Sequence, residues 1–295
     1  MRKKTKKKQS AYTIVSAVLI TVIAFLFIFP LYWIISGSFK SKMDIMSVTP
    51  IWWPTSWVMD NYQTLMGKRC APLFEILGLV GPTIPAAFRW LLNTVFMAVV
   101  SMILTCITSS MAGYVLAKKR FIGRNLLFSL IVCAMALPKQ VILIPLIREM
   151  SAIGLYDTLS AAIIPIVGWP FGVFLLKQFS EGVPGEMLEA ACVDGASEIR
   201  TFTDIVIPMI KPGIGALAIF TFISSWNDYF MQLIMLTSNS RLTISLGIAT
   251  MQAENSTDYG LLMAGSALAA LPIIIVFLIF QKYFTKGITL GAVKG

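Results

Sequence analysis

Six stretches of this chain are long and apolar enough to cross a bilayer: Tyr12–Ile35, Leu91–Ala117, Leu126–Leu146, Leu159–Leu176, Ile214–Leu236 and Leu261–Phe284. A hydrocarbon core of about 30 Å takes about 20 residues of helix. Backbone in lipid must satisfy its own N–H and C=O groups, which leaves helices for stretches of this length. Only 13% of the residues are charged, and the mean hydropathy is +0.80. Soluble domains carry about 25% charge. The expected fold class is therefore all-α: a polytopic membrane protein with six transmembrane helices.

The third and fourth stretches contain Pro138, Pro145, Pro165 and Pro170. Proline is tolerated in a membrane helix where neighbours re-satisfy the freed backbone groups, so a packed bundle around a path is expected. The first stretch follows a basic run, Arg2–Lys8, as a cleaved leader would. It exceeds a leader's apolar region of about 7–15 residues, and no small-x-small cleavage site follows. A retained first span is expected.

With the N-terminus placed inside, sixteen of the 24 Lys and Arg residues fall on inside stretches and seven on outside ones, Lys139 being the remaining one. That bias puts both termini in the cytoplasm. The expected organisation is a basic N-terminus, 1–11, a transmembrane domain, 12–284, and a cytoplasmic tail, 285–295. The net charge of +10 then reflects orientation and contact with anionic membrane lipid. No interleaving of basic and aromatic residues points to nucleic acid.

Cys106 and Cys133 lie in spanning stretches, Cys192 is on the inside, and only Cys70 faces out, so no intrachain disulfide is expected. The chain has no histidine, which removes imidazole acid–base catalysis and the commonest metal ligand. No catalytic or metal-binding residue is assigned. No GxxxxGK[ST] phosphate loop occurs, so ATP-driven transport would need its ATPase on another chain.

Outside, Trp52, Trp53 and Trp57 sit in the stretch Ser36–Trp90. They fit the membrane interface or stacking against a sugar. Leu73–Phe88 is apolar but broken by Gly81, Pro82 and Pro85; a re-entrant or interfacial segment is expected there.

The longest inside loop, Phe179–Pro212, is a polar island. Pro184 suits a helix start, and Glu186–Cys192 suits a helix. Asp194-Gly195 breaks it, because glycine accepts the left-handed conformation of a helix end. Ser197 is placed to cap a second helix with Glu198 in its first turn. Pro208 and Pro212 are expected to close the loop. The residues alone also allow an amphipathic connector lying on the bilayer.

The string Glu189-Ala190-Ala191, then Gly195, then Ile205-Val206-Ile207-Pro208 resembles the signature of permease subunits of ABC importers, with Ile207 in the usual leucine place. Other stretches extend the resemblance over nearly the whole chain. They are Asn93-Thr94, Ala112-Gly113-Tyr114-Val115-Leu116-Ala117 with Phe121 and Gly123, Pro170–Phe179, Trp226-Asn227-Asp228-Tyr229, Gly260–Gly265 and Gly291–Gly295. The chain is most similar to the carbohydrate branch, in particular to the second permease of the maltose importer. Leu65–Phe88 is longer than is usual in that family.

The resemblance implies a type I importer transmembrane domain in a bacterial cell membrane. Its expected partners are a homologous permease, two ATPase subunits that bind the ATP and Mg, an extracellular or periplasmic solute-binding protein, and a saccharide substrate. It assigns ATPase coupling to Glu189, Ala190, Ala191, Asp194, Gly195, Ala196 and Pro208. Glu254, Asn255 and Ser256 would meet the binding protein, and the tail Val293, Lys294 and Gly295 would reach the ATPase interface. The function implied is a non-enzymatic permease for an oligosaccharide. A permease for a peptide or polyamine, or an ATP-independent carrier, are the alternatives. A carrier would be expected to hold several intramembrane charges, where this chain has two.

Those two are Asp228 and Lys139. A charge at bilayer depth costs about 3 kcal/mol on insertion scales, so Asp228 should face a wet cavity or a partner. Ser225, Trp226 and Asn227 offer hydroxyl, aromatic and amide surfaces to a translocation path, or else brace a kink. Lys139 either snorkels or lines the path and favours acidic saccharides.

Overall fold

In a computed structural model, the described backbone covers residues 2–67, 69–72, 83–254 and 258–292. The chain gathers into two compact units, one of Met1–Arg69 with Ile248–Ala270, the other of Cys70–Gly247 with Leu271–Gly295.

The first unit is led by α1 (Arg2–Ser38), whose span Tyr12–Ser38 has none of its most apolar window buried. Past it come α2 (Lys42–Ile45), capped by the Ser41 hydroxyl, and α3 (Asp60–Gly67). The chain between them folds back on the end of α1. Trp52 packs at 5.8 Å from Phe29 and 5.9 Å from Trp33, and Trp53 at 6.4 Å from Tyr32. Lys40 is buried; its ammonium donates to the Ile51 carbonyl at 2.5 Å and lies 4.1 Å over the Trp33 ring. Trp52, Trp53 and Trp57 stay about 60% exposed, and Trp33 is half-buried. A half-buried aromatic collar at the end of an unburied apolar helix is what an interfacial belt requires. Helices α13 (Ile244–Glu254) and α14 (Tyr259–Ala292) contribute their 248–270 portion to this unit.

The second unit is built on α4 (Ala86–Lys118), which packs against α7 (Leu159–Val167), α8 (Pro170–Glu181) and α11 (Ile207–Asn227). In lipid, helices associate through close van der Waals approach, which favours small residues at the contact. Ser101, Thr105, Ser109 and Gly113 recur every fourth residue on the packed face of α4. A Cβ on Gly113 would come within 2.7 Å of the Lys177 backbone nitrogen and 2.8 Å of the Leu176 carbonyl carbon. Gly172 of α8 sits equally close to Ser109, and Gly213 of α11 to the Phe179 ring.

Three of the expected spans are redrawn. The third is not one rod: α5 (Arg124–Ala134) and α6 (Lys139–Ala152) meet at a 103° bend. Pro138 lacks an N–H and holds Leu137 away from helical backbone. The fourth breaks at Gly168-Trp169, between α7 and α8, and extends to Glu181. The fifth starts far earlier than Ile214. From α10 (Glu198–Thr201) through a π-helical turn, Phe202–Val206, and on through α11, helix is continuous over Glu198–Asn227. Pro208 and Pro212 therefore lie inside helix and do not close the loop. In the π turn the Ile207 N–H donates to the Phe202 carbonyl five residues back. That widened turn lies just before Pro208, where an α-helical ladder would meet a missing donor and a ring clash. Asp228 ends α11 and α12 (Tyr229–Met235) follows.

Among the described residues, five helices are long and apolar enough to cross a membrane, or six if the bent pair counts as one span. One short ribbon pairs β1 (Arg69–Pro72) with β2 (Thr83–Pro85). Most of Leu73–Phe88 lies outside the described residues; its end, Ala86–Phe88, is the first turn of α4.

Asp157, between α6 and α7, has a left-handed backbone, φ 58°. Its carboxylate accepts from the backbone N–H groups of Thr237 (2.8 Å) and Ser238 (3.0 Å) and from the Ser238 hydroxyl. Its carbonyl accepts from Arg241. Burial alone would raise its pKa, but the bonds from Ser238 and Thr237 outweigh that and hold it below the usual carboxylate value. A depressed carboxylate stabilises the fold above its unfolded pKa of about 4, and that contribution is lost as pH falls through the folded value. Asp157→Ala is expected to lower stability by about 1–3 kcal/mol. The readout is the thermal unfolding midpoint at neutral pH, and the gap from the parent should narrow on acidification below pH of about 4.

Candidate functional site

Helix α9 (Gly185–Val193) and α10 form the expected helix–turn–helix. The turn is a complete Schellman cap: Ala196 N–H donates to the Ala191 carbonyl at 2.9 Å, and Gly195 N–H to the Cys192 carbonyl at 3.1 Å. Gly195 has φ 76°, and a Cβ there would meet nothing within 4 Å. Glycine is used here for its backbone, not for room. The Ser197 hydroxyl accepts from the Arg200 N–H at 3.4 Å and caps α10. Glu189, Ala190, Asp194 and Gly195 are exposed, Ala191 is buried and Ala196 half-buried. Beside them Val193 and Ile199 are 88% and 76% exposed. The tip of the polar hairpin thus carries two exposed apolar side chains beside the exposed Glu189. Pro208 is exposed in the first turn of α11, away from the tip.

The hairpin is fixed to the membrane helices by groups that sequence reading missed. The Tyr114 hydroxyl donates to one Glu198 oxygen at 2.6 Å, and the Lys119 ammonium donates to the same carboxylate at 2.7 Å. That hydrogen bond with Glu198 raises the Lys119 pKa. Beneath, Tyr114, Val183, Val206 and Ile210 form a buried cluster, with Leu188 and Phe202 against it. Thus α4, α9 and α11 share one small core. Tyr114 and Lys119 are 84 and 79 residues from Glu198, and no local pattern announces the contact.

At the other end of α11 the two intramembrane charges meet. Lys139 Nζ lies 3.2 Å from Asp228 Oδ2, with side-chain exposures of 52% and 15%. Both sit at helix breaks: Lys139 is the first residue of α6 after the bend, and Asp228 N-caps α12 by accepting from Met231 N–H at 3.4 Å. Asn227 beside them is exposed, its amide folded back on the Ile223 carbonyl at 2.9 Å. Ser225 and Trp226 are buried within the chain and present nothing to a path. The Ser225 carbonyl accepts from Gln232, and Trp226 packs 5.5 Å from Phe222. Gln232 and Thr243, joined at 2.6 Å and buried, brace the same region and were not singled out from sequence.

Glu254 is the last residue of α13, but its side chain, with Asn255 and Ser256, lies outside the described residues. So do Val293, Lys294 and Gly295. Among the described residues no group of three or more His, Cys, Asp or Glu is placed to hold a metal.

The described residues thus form a set of helices long and apolar enough to cross a membrane, with an exposed hairpin and a charge pair between broken helices. Residues 109–290 match the family described as binding-protein-dependent transport system inner membrane component, and the chain belongs to that family. It is 34% identical to the arabinooligosaccharides transport system permease protein AraQ of Halalkalibacterium halodurans, over 92% of this chain and 93% of that one. Its counterpart in Bacillus subtilis is 33% identical over 97% of both chains. The fold matches a chain of a bacterial ABC transporter involved in the import of the acidic polysaccharide alginate, with a TM-score of 0.75 at 22% identity, over 92% of this chain and 96% of that one.

Proposed function

We propose that this chain is one permease subunit of an ATP-driven importer of oligosaccharides, coupled to a separate ATPase through the hairpin around Glu189 and Gly195. The observation that carries the coupling role is the rigid, outward-facing hairpin: a Schellman turn, exposed Glu189, and the exposed side chains Val193 and Ile199 above a shared core. The saccharide class is supported by the relatives named for arabino-oligosaccharide transport. ATP and Mg would be held by the ATPase, and the solute would arrive on a binding protein. Glu254, Asn255 and Ser256 are proposed for the binding-protein contact, and Val293, Lys294 and Gly295 for the ATPase contact. Ala190, Ala191, Asp194, Ala196 and Pro208 complete the coupling region.

The Lys139–Asp228 pair gives the path wall a neutral but strongly hydrogen-bonding surface beside the Asn227 amide. Such groups suit hydroxyl-rich solutes. Ser225 and Trp226 act behind that wall, as its packing.

The function is tested in proteoliposomes holding the full assembly, with labelled arabino-oligosaccharide loaded on its binding protein. Uptake should require both ATP inside and binding protein outside. Uptake that persists without ATP would establish the carrier reading instead.

A further inference from the structure

We propose that the groove between the ends of α4, α5 and α8 is a binding site for the phosphate headgroup of an anionic phospholipid, with an acyl chain lying along α5. Two adjoining cavities of about 310 and 370 Å³ meet there and share Arg124 and Asn125. Arg120 lines the first and Lys177 the second. The charges in the groove do not cancel. Lys177 is neutralised by Glu181 at 2.5 Å and lies 4.2 Å over the Phe128 ring. Arg124 spends one N–H on the Lys119 carbonyl at 3.3 Å, and Arg120 has no ion-pair partner among the described residues. Two guanidinium groups four residues apart therefore face the groove with unmet donors. Planar, forked donors of this kind match phosphate oxygens. The first turn of α5 follows Gly123, which offers no side-chain cap; Arg124 N–H donates to the Phe121 carbonyl and Leu127 N–H to the Gly123 carbonyl, so the N–H groups of Asn125 and Leu126 between them add to the attraction for an anion.

What selects a lipid over a soluble anion is the surface continuing from the groove. No residue of α5 is buried. Leu126, Leu127 and Leu130 are 66%, 46% and 59% exposed and run directly on from the arginines. A headgroup site with an apolar strip attached fits one amphiphile; free phosphate gains nothing from the strip. Basic residues at an anionic membrane surface contribute about 1 kcal/mol each. The site is independent of what is transported and of how the hairpin is used.

The test uses the full chain, purified with its partner subunits and stripped of lipid. Fluorescent phosphatidylglycerol is titrated in, with phosphatidylcholine and inorganic phosphate as competitors. Saturable binding is expected, displaced by unlabelled phosphatidylglycerol and resisted by the other two. Arg120→Gln with Arg124→Gln should weaken it about 30-fold, while Arg120→Lys with Arg124→Lys, which keeps the charge but loses the fork, should fall between that pair and the parent. Arg200→Gln with Lys211→Gln removes equal charge elsewhere and should change binding little. The proposal is overturned if that control loses as much as the groove variant, if inorganic phosphate competes as well as the lipid, or if the groove variant binds normally. A groove variant whose unfolding midpoint drops is replaced by the single change Arg120→Gln, whose normal binding at an unchanged midpoint also overturns the assignment.

Discussion

Gly195→Val is expected to weaken ATP-driven uptake about tenfold while leaving the chain folded in the membrane. A Cβ at Gly195 touches nothing, so the substitution acts through φ 76° alone. Left-handed backbone costs a side-chain-bearing residue about 1–2 kcal/mol. The turn relaxes by giving up the two hydrogen bonds that close it, from Ala196 to Ala191 and from Gly195 to Cys192. Glu189, Val193 and Ile199 then no longer share one rigid face. If docking of the ATPase loses that same free energy, its affinity falls about tenfold. Glu189→Lys tests the same face without touching the backbone, since an exposed side chain on α9 changes stability by only about 0.5 kcal/mol. The checks are co-purification of the ATPase and uptake per cell. If both survive in both variants, the coupling role is wrong.

The second large effect is expected from Gly113→Leu. Here the obstacle is steric, and the atoms in the way are the α8 backbone at Lys177 and Leu176, 2.7 and 2.8 Å from a single Cβ. Overpacking ordinarily costs about 1–3 kcal/mol when side chains can yield. A backbone in a packed helix pair yields less, so the α4–α8 contact should open and little folded protein should be recovered. Gly113→Ala should show a milder loss. Gly168→Ala, where a Cβ meets nothing within 4 Å, should be tolerated. Yield of monodisperse protein after membrane extraction is the readout. Normal recovery of Gly113→Leu would refute the close approach of these helices.

The parts of the fold that could be read from sequence are those decided by local chemistry. The apolar runs located α1, α4 and α14, because burial in lipid asks only for length and hydropathy. The hairpin turn was legible because Asp194-Gly195-Ala196-Ser197 carries both a stop and a start within four residues. Two kinds of feature were not. Hydropathy does not report direction, so the 103° bend at Pro138 was hidden inside one apolar run. Pro208 reads as an end, but a π turn just before it lets helix pass through. The other kind is pairing at a distance: Lys139 with Asp228 across 89 residues, and Asp157 with Thr237 and Ser238 across 80 and 81. Nothing in either partner's local context names the other. Asp228 and Lys139 were each singled out for being charged in an apolar run, but their meeting is a property of the fold.

The helix continuous from Glu198 to Asn227 joins the hairpin to the charge pair in one element. Its 30 residues span about 45 Å at 1.5 Å per residue. One end, at Glu198 in the hairpin, is tied to α4 through Tyr114 and Lys119, and the other carries Asp228 against Lys139. A tilt of about 10° pivoted at the hairpin would sweep the far end through about 8 Å over that length, more than twice the 3.2 Å that separates the two charges. A tilt of that size would part the pair.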